Sequence, residues 1–242
     1  MRFQFPSGLR AMACASLVLV VQGGACTPAP GSGAQVNDPI EGFNRSMFAF
    51  NETVDENVLK PVATGYKAVL PSMARTGVTN FYNNFEDAWS AVNSLLQLKL
   101  EAAASNTMRV VTNSTLGIGG LLDWATELRM PRYNEDFGQT LGHWGVGEGP
   151  YVVWPLLGPS TARDSVALPL DLAAGPNLFV DSTALSIALP VLNVINTRAN
   201  LLDASALLDD IVLDKYTFVR DGFLQRRRNQ VYDGNPPEAA SQ

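Results

Sequence analysis

One histidine, His143, and two cysteines, Cys14 and Cys26, limit what this 242-residue chain can catalyse or ligate. A structural zinc site draws its ligands chiefly from several Cys and His side chains. The inventory therefore excludes a His/Cys zinc cluster, and two cysteines leave little room for a disulfide framework. His143 stands between Gly142 and Trp144, a setting that suits a structural hydrogen-bonder better than a general base. Glu135 and Asp136 are neighbouring carboxylates, which reads as a solvated turn or a helix cap. Residues 117–120 (GIGG) lack the strand and the Gly-Lys-Ser/Thr of a phosphate loop, and residues 145–149 (GVGEG) lack the strand–helix context of a dinucleotide site. There is no Gly-x-Ser-x-Gly elbow of the lipase kind. No acidic loop carries the ligand spacing of a calcium site. The expectation is a protein with no catalytic centre, no metal and no cofactor.

The chemistry that remains belongs to Cys26. Arg2 and Arg10 give a positive start, Ala11 to Val21 is an apolar run of 11 residues, and the first acid is Asp38. That run is too short to span a bilayer, which takes about 20 residues; it fits an export signal. Gly23, Gly24 and Ala25 before Cys26 resemble a bacterial lipoprotein cleavage box, with Gly23 standing where Leu is usual. The reading is a signal peptide over 1–25 and a lipidated Cys26. An ordinary signal cleaved near Ala25, leaving a free thiol, is the alternative. Thr27 to Asn37 (TPAPGSGAQVN) is uncharged and rich in Pro, Gly, Ser and Ala, so 26–37 reads as a lipidated residue and its flexible tether. Thr27 at the position after the lipidated residue resembles the signal for transfer to the outer membrane.

The net charge is −6, and it becomes −8 when Arg2 and Arg10 leave with residues 1–25. This excludes the basic footprint of a nucleic-acid binder. It also leaves membrane attachment to acyl chains and apolar surface rather than to charge. Hydrophobic residues make up 46% and charged residues 17%, which argues against a disordered chain.

The elements read as mainly α-helical. Asp38-Pro39-Ile40-Glu41 has the form of a capping box, with Asp38 as the cap and Pro39 in the first turn. Behind it Ile40, Phe43, Met47, Phe50, Val54 and Val58 recur every three or four residues, up to a stop or bend at Pro61. A second helix is predicted over about 71–97, striped by Val78, Phe81, Phe85, Trp89, Val92 and Leu96. A third spans about 99–112, with Leu100, Ala104, Met108 and Val111 aligned, and residues 113–120 break it. Residues 137–162 carry one formal charge, Glu148, with six glycines and three prolines. They are too apolar for a solvated loop and too rich in Gly and Pro for regular helix. Residues 172–197 carry one charge, Asp181, and Pro190 interrupts their apolar run. No mature segment reaches 18 uninterrupted apolar residues, so interfacial helices or re-entrant segments are expected rather than a spanning helix. Leu201, Ala204, Leu208 and Ile211 share a face, and a last helix starts at Tyr216, Val219 and Phe223 and runs into Arg226-Arg227-Arg228. Those arginines suit a helix C-terminus, where the dipole favours cations. Residues 234–242 (GNPPEAASQ) read as a disordered tail.

Five ordered segments resemble one family. They are residues 37–51 (NDPIEGFNRSMFAFN), 113–123 (NSTLGIGGLLD), 135–151 (EDFGQTLGHWGVGEGPY), 156–164 (LLGPSTARD) and 197–203 (TRANLLD). Together they resemble the MlaA (VacJ) family of outer-membrane lipoproteins, across about 37–230. The resemblance implies a ring-like amphipathic helical domain, here 38–233, seated in or on the periplasmic face of the outer membrane. It implies removal of misplaced phospholipid from the outer leaflet and its passage to a soluble periplasmic lipid carrier, beside a porin trimer. The charge-poor segments 137–162 and 172–197 are candidate walls of the lipid path. Phe43, Met47, Phe50 and Asn51 are candidate lipid-channel residues on the first helix, with plain core packing as the alternative. A scaffold lipoprotein that only braces porins, and a hydrolase of envelope lipid, are the competing functions.

Overall fold

The computed structural model describes residues 38–209 and 212–237. The signal peptide, Cys26, the tether and Ile211 lie outside the described residues, as does the end of the tail from 238. What is described is mainly helical, with one hairpin. The order is α1 (Glu41–Val54), a π-helical turn (Asp55–Leu59), α2 (Lys60–Val69), α3 (Ser72–Leu96), α4 (Leu100–Thr115), α5 (Trp124–Glu127), α6 (Phe137–His143), β1 (Tyr151–Trp154), β2 (Gly158–Thr161), α7 (Ala162–Ala173), a 3-10 turn (Pro176–Phe179), α8 (Thr183–Asp209) and α9 (Lys215–Val231).

The first helix starts at Glu41, and Asp38 does not cap it. The Asp38 carboxylate turns inward instead. It accepts from Asn44 Nδ2 at 2.7 Å, from the Tyr216 hydroxyl, and from Arg220 at 3.4 Å. Pro61 neither stops nor ends this helix. α1 runs through the π turn into α2 without a break. Pro61 has no N–H to give and its ring crowds the carbonyl four residues back. The wider π turn lies just upstream of that position.

α3 and α4 form an antiparallel pair joined by a turn at Leu98, which has φ 62°. Their burial is inverted. On α3 the buried residues are Tyr82, Asn84, Asp87, Ser90, Ala91, Asn93 and Ser94, while Val92 and Leu96 of the apolar stripe are exposed. On α4 Ala102, Ala103, Asn106, Arg109, Thr112 and Asn113 face inward, and Leu100, Met108 and Val111 face out. Among the described residues nineteen polar or charged side chains are buried against twelve apolar ones, seven of which are alanine.

Polar groups taken out of water must be paired. Arg109, 2% exposed, donates to Asp87 at 3.0 Å, to the Met130 carbonyl at 2.9 Å and to Asp123 at 3.2 Å. Arg132 holds the other Asp87 oxygen at 2.5 Å. Ser90 both donates to the Glu135 carbonyl and accepts its amide, each at 3.0 Å. Glu135 is buried and takes Lys99 at 2.9 Å and Gln97 at 2.9 Å. The pair 135–136 is therefore not a solvated turn. Asp136 does cap α6, accepting from Gln139 N at 2.8 Å, but it is also half of an interior ion cluster.

That cluster corrects the reading of the arginine run. Arg227 is buried, and its guanidinium grips both Asp136 (2.5 and 2.6 Å) and Asp164 (2.8 and 3.0 Å). Burial works against the Asp136 charge, but the Arg227 pairing overcomes it and holds the carboxyl below the ordinary 3.8. Gly138 makes room: a Cβ there would stand 2.4 Å from an Arg227 nitrogen and 2.5 Å from Asp164. A small aromatic cluster of Tyr151, Val153 and Tyr216, with Met47, Phe48, Phe223 and Leu224 against it, is the apolar centre nearest α1 and α9. Burial pushes the Tyr151 phenol up to about 12.

Residues 137–162 fold as α6, a loop and the antiparallel β1–β2 hairpin, with Tyr151 opposite Thr161 and Trp154 opposite Gly158. The strands are four residues each, too short to show a clear alternation in the sequence. Pro190 does not interrupt α8, which is continuous from Thr183. Its stretch Thr183–Ala206 is long and apolar enough to cross a membrane by length and composition, and 11% of its most apolar window is buried.

Candidate functional site

The four channel candidates on α1 divide between two roles. Phe43 and Phe50, seven residues apart on one face, are 50% and 47% exposed. Met47 packs against the Tyr151–Tyr216 cluster. Asn51 is a clamp: its Nδ2 donates to the Trp154 carbonyl at 2.9 Å and its Oδ1 accepts from the Leu156 amide at 2.7 Å. Asn44 does the same two turns earlier, giving to the Tyr151 carbonyl and taking from the Val153 amide, both at 2.9 Å. Seven helical residues advance about 10 Å, as do three strand residues. Asn44 therefore holds the middle of β1, and Asn51 holds its last residue and the turn that follows.

A different face of the same helix lines a cavity of about 530 Å³. Phe48 and Glu52 of α1, Asp55 and Glu56 of the π turn, and Lys60 of α2 supply one wall. Arg198, Leu201 and Ser205 come from α8, and Lys215, Phe218 and Val219 from α9; Pro159 of β2 and Val212 complete it. The volume lies within the range of small-molecule sites. The walls are largely apolar and the charges are grouped. Asp55 and Arg198 form a two-pronged pair at 2.6 Å on each side, and Arg198 also donates to Ser205 at 2.9 Å. Lys215 stands 3.4 Å from Glu52. The π turn advances the helix by a wider step than α geometry and carries both Asp55 and Glu56 into the cavity wall.

These charged residues were available in the sequence as Glu52, Asp55, Glu56 and Lys60, spaced on one helical side. The apolar stripe beside them has the stronger helical period, so charge spacing alone does not mark them as a site. The two charge-poor segments line recesses of their own. Gly142, Gly145, Val146, Gly147 and Glu148 border a 320 Å³ recess against Arg163, Arg227 and Arg228. Leu172, residues 174–177, Pro190, Asn193 and Val194 contribute to a 240 Å³ cavity closed by Tyr82, Phe85 and Trp89. In the latter, burial raises the Asp171 carboxyl, which accepts from Trp89 Nε1 at 2.7 Å and from the Phe137 amide at 2.9 Å. A larger groove of 910 Å³ between α4 and α9 is polar, and its Lys99 and Arg132 are spent on Glu135, Asp233, Asp87 and Glu86. His143 is exposed at the end of α6. Among the described residues no group of three or more His, Cys, Asp or Glu is placed to hold a metal.

The chain resembles known proteins over this whole region. The family model of the MlaA lipoprotein matches residues 36–230. The Escherichia coli K12 protein named intermembrane phospholipid transport system lipoprotein MlaA is 39% identical over 197 residues, 78% of this chain and 76% of that one. The Haemophilus influenzae protein of the same name is 32% identical over 216 residues, 84% and 82% of the two chains. An uncharacterised protein of Rickettsia bellii is 35% identical over 198 residues, 81% and 78%. A solved structure described as the structural basis for maintenance of bacterial outer membrane lipid asymmetry superposes with a TM-score of 0.70 at 38% identity, covering 82% of this chain and 99% of that chain. On the extent of that match, from before α1 to the end of α9, the chain belongs to the MlaA lipoprotein family.

Proposed function

We propose that this chain is an outer-membrane lipoprotein that takes misplaced phospholipid from the outer leaflet and hands it toward the periplasm, keeping the two leaflets different in composition. The observation that carries this reading is the inverted burial of α3 and α4, together with the exposed apolar length of α8. Apolar surface of that extent needs an apolar surrounding, and a paired polar interior is what a protein embedded among acyl chains requires. The names of the relatives support phospholipid as the cargo.

The physical task is to move a polar headgroup past hydrocarbon, where its desolvation is costly. A cavity with apolar walls and paired charges lowers that cost while the acyl chains stay against lipid. The 530 Å³ cavity has apolar walls and carries the Asp55–Arg198 and Glu52–Lys215 pairs, and it is the candidate path. Phe43 and Phe50 face outward from the helix that borders it, and in this reading they rest against acyl chains at its entrance. Met47 and Asn51 set the helix and the hairpin on either side. Lipidation of Cys26 anchors the chain, a porin trimer is its neighbour in the membrane, and a soluble periplasmic carrier receives the lipid. The protein acts by transfer, with no bond made or broken.

The test is a transfer assay with the full lipidated chain in vesicles and labelled phospholipid, with a lipid-binding acceptor in solution. Transfer above that of vesicles without protein is the expected result. Equal rates with and without the protein would remove the transport reading. A pure brace for porins gives equal rates, and an envelope-lipid hydrolase releases fatty acid.

A further inference from the structure

The charge-rimmed cavity has a composition that a general apolar conduit does not need. Its wall carries three acids, Glu52, Asp55 and Glu56, and three bases, Lys60, Arg198 and Lys215. Among the described residues the rim is formally neutral, in a chain whose net charge is −6. The charges are also layered. Asp55 and Arg198 are half-buried and bonded to each other. Glu52 and Lys215 form a looser pair. Glu56 and Lys60 are exposed, one turn apart, and enter no ion pair among the described residues. Phe48, Leu201, Phe218 and Val219 continue the wall away from them.

We propose that this rim recognises the headgroup of a zwitterionic glycerophospholipid of the ethanolamine type, an inference that rests on the transport reading above. The phosphodiester of such a lipid carries one negative charge, and an ammonium stands two carbons away. Residues one helical turn apart have Cβ atoms about 6 Å from each other, a separation that places Lys60 toward the phosphate oxygens and Glu56 toward the ammonium. Lys60 Nζ donates to phosphate and the ammonium donates to Glu56. The chains then lie along Phe48, Leu201, Phe218 and Val219. A lipid with a net negative headgroup gains the Lys60 contact but leaves Glu56 and Glu52 facing its glycerol or a second anion. The selectivity thus comes from complementarity in both signs rather than from net attraction.

The experiment uses the full chain in mild detergent and short-chain probes below their micelle concentration: dihexanoyl phosphatidylethanolamine, dihexanoyl phosphatidylglycerol, and free phosphorylethanolamine. Binding is read by calorimetry, and helicity by circular dichroism. The expected result is an ethanolamine preference of about fivefold over glycerol, the scale of one rim charge pair. Free phosphorylethanolamine binds at least about tenfold more weakly, because it lacks the chains that the walls bury. Glu56→Lys removes or reverses the preference with helicity unchanged. Arg226→Glu, in the other groove, leaves it intact. Equal binding of both lipids, or a preference untouched by Glu56→Lys, overturns the headgroup inference and leaves the transport reading standing. A folded chain that binds neither lipid overturns both.

Discussion

Side-chain amides do much of the work that backbone pairing does in other folds. Asn44, Asn51 and Asn106 each give one bond and take one from an extended segment; for Asn106 the partner is Tyr133, at 2.7 and 3.1 Å. Replacing Asn51 by Asp keeps the acceptor for Leu156 N and loses the donor to the Trp154 carbonyl. The expected cost is about 1–2 kcal/mol, with faster amide exchange confined to the hairpin; unchanged exchange at Leu156 would contradict the clamp. Arg227→Met leaves Asp136 without its cation and Asp164 with Arg163 alone, which costs about 3–5 kcal/mol in thermal or denaturant unfolding. The same cluster sets an acid limit. The folded Asp136 carboxyl titrates below the ordinary 3.8, so its contribution is present above that value and fades as the pH falls through and beneath it. The wild type should lose stability below about pH 4, and Asp136→Asn should be weaker at pH 7 with a shallower acid limb. None of these partners was legible in sequence. An asparagine on a helix reads as solvated, and Arg227 sits in a run of three arginines where the dipole is sufficient reason for its charge.

At the scale of elements, periodicity located the helices well and their orientation poorly. The stripe of Val78, Phe81, Phe85, Trp89, Val92 and Leu96 correctly marks α3, because a period of 3.6 depends only on one face being apolar. Which face turns inward depends on the solvent around the element, and that is not written in the period. Proline positions misled for a related reason. Pro61 and Pro190 forbid one hydrogen bond each, but α1–α2 and α8 continue past them. At α8 the Leu189 carbonyl takes the Tyr82 hydroxyl at 2.6 Å, and Asn196 is tied to Thr79 at 2.8 Å and to Tyr66 at 3.1 Å, so packing holds the helix. The inverted pair makes a sharp prediction. Leu95→Arg with Met108→Arg, both on outer faces, should sharply cut the detergent or lipid bound per chain and leave the helical signal near wild type. Ser90→Leu, aimed at the buried Glu135 backbone, should instead lower the unfolding temperature by several degrees. If the arginine pair unfolds the protein and Ser90→Leu is silent, the assignment of inside and outside is wrong.

For the molecule as a whole, the proposed lipid anchor at Cys26 and the apolar faces make separable contributions. Cys26→Ser should abolish acyl incorporation, keep the fold, and reduce membrane sedimentation only in part, because the outward faces of α3, α4 and α8 remain. Complete release into the soluble fraction would assign the attachment to the acyl chains alone. The family was readable from five segments, whereas the charge-rimmed cavity was not, since it is assembled from α1, α2, α8 and α9, whose contributing residues lie far apart in the chain. The paired interior has one more consequence. Wetting hydrocarbon is what gives ordinary domains their large heat-capacity increment on unfolding. A centre built of alanines, amides and ion pairs has little hydrocarbon to wet, so calorimetry should record a small increment, a broad flat stability curve, and almost no weakening in the cold.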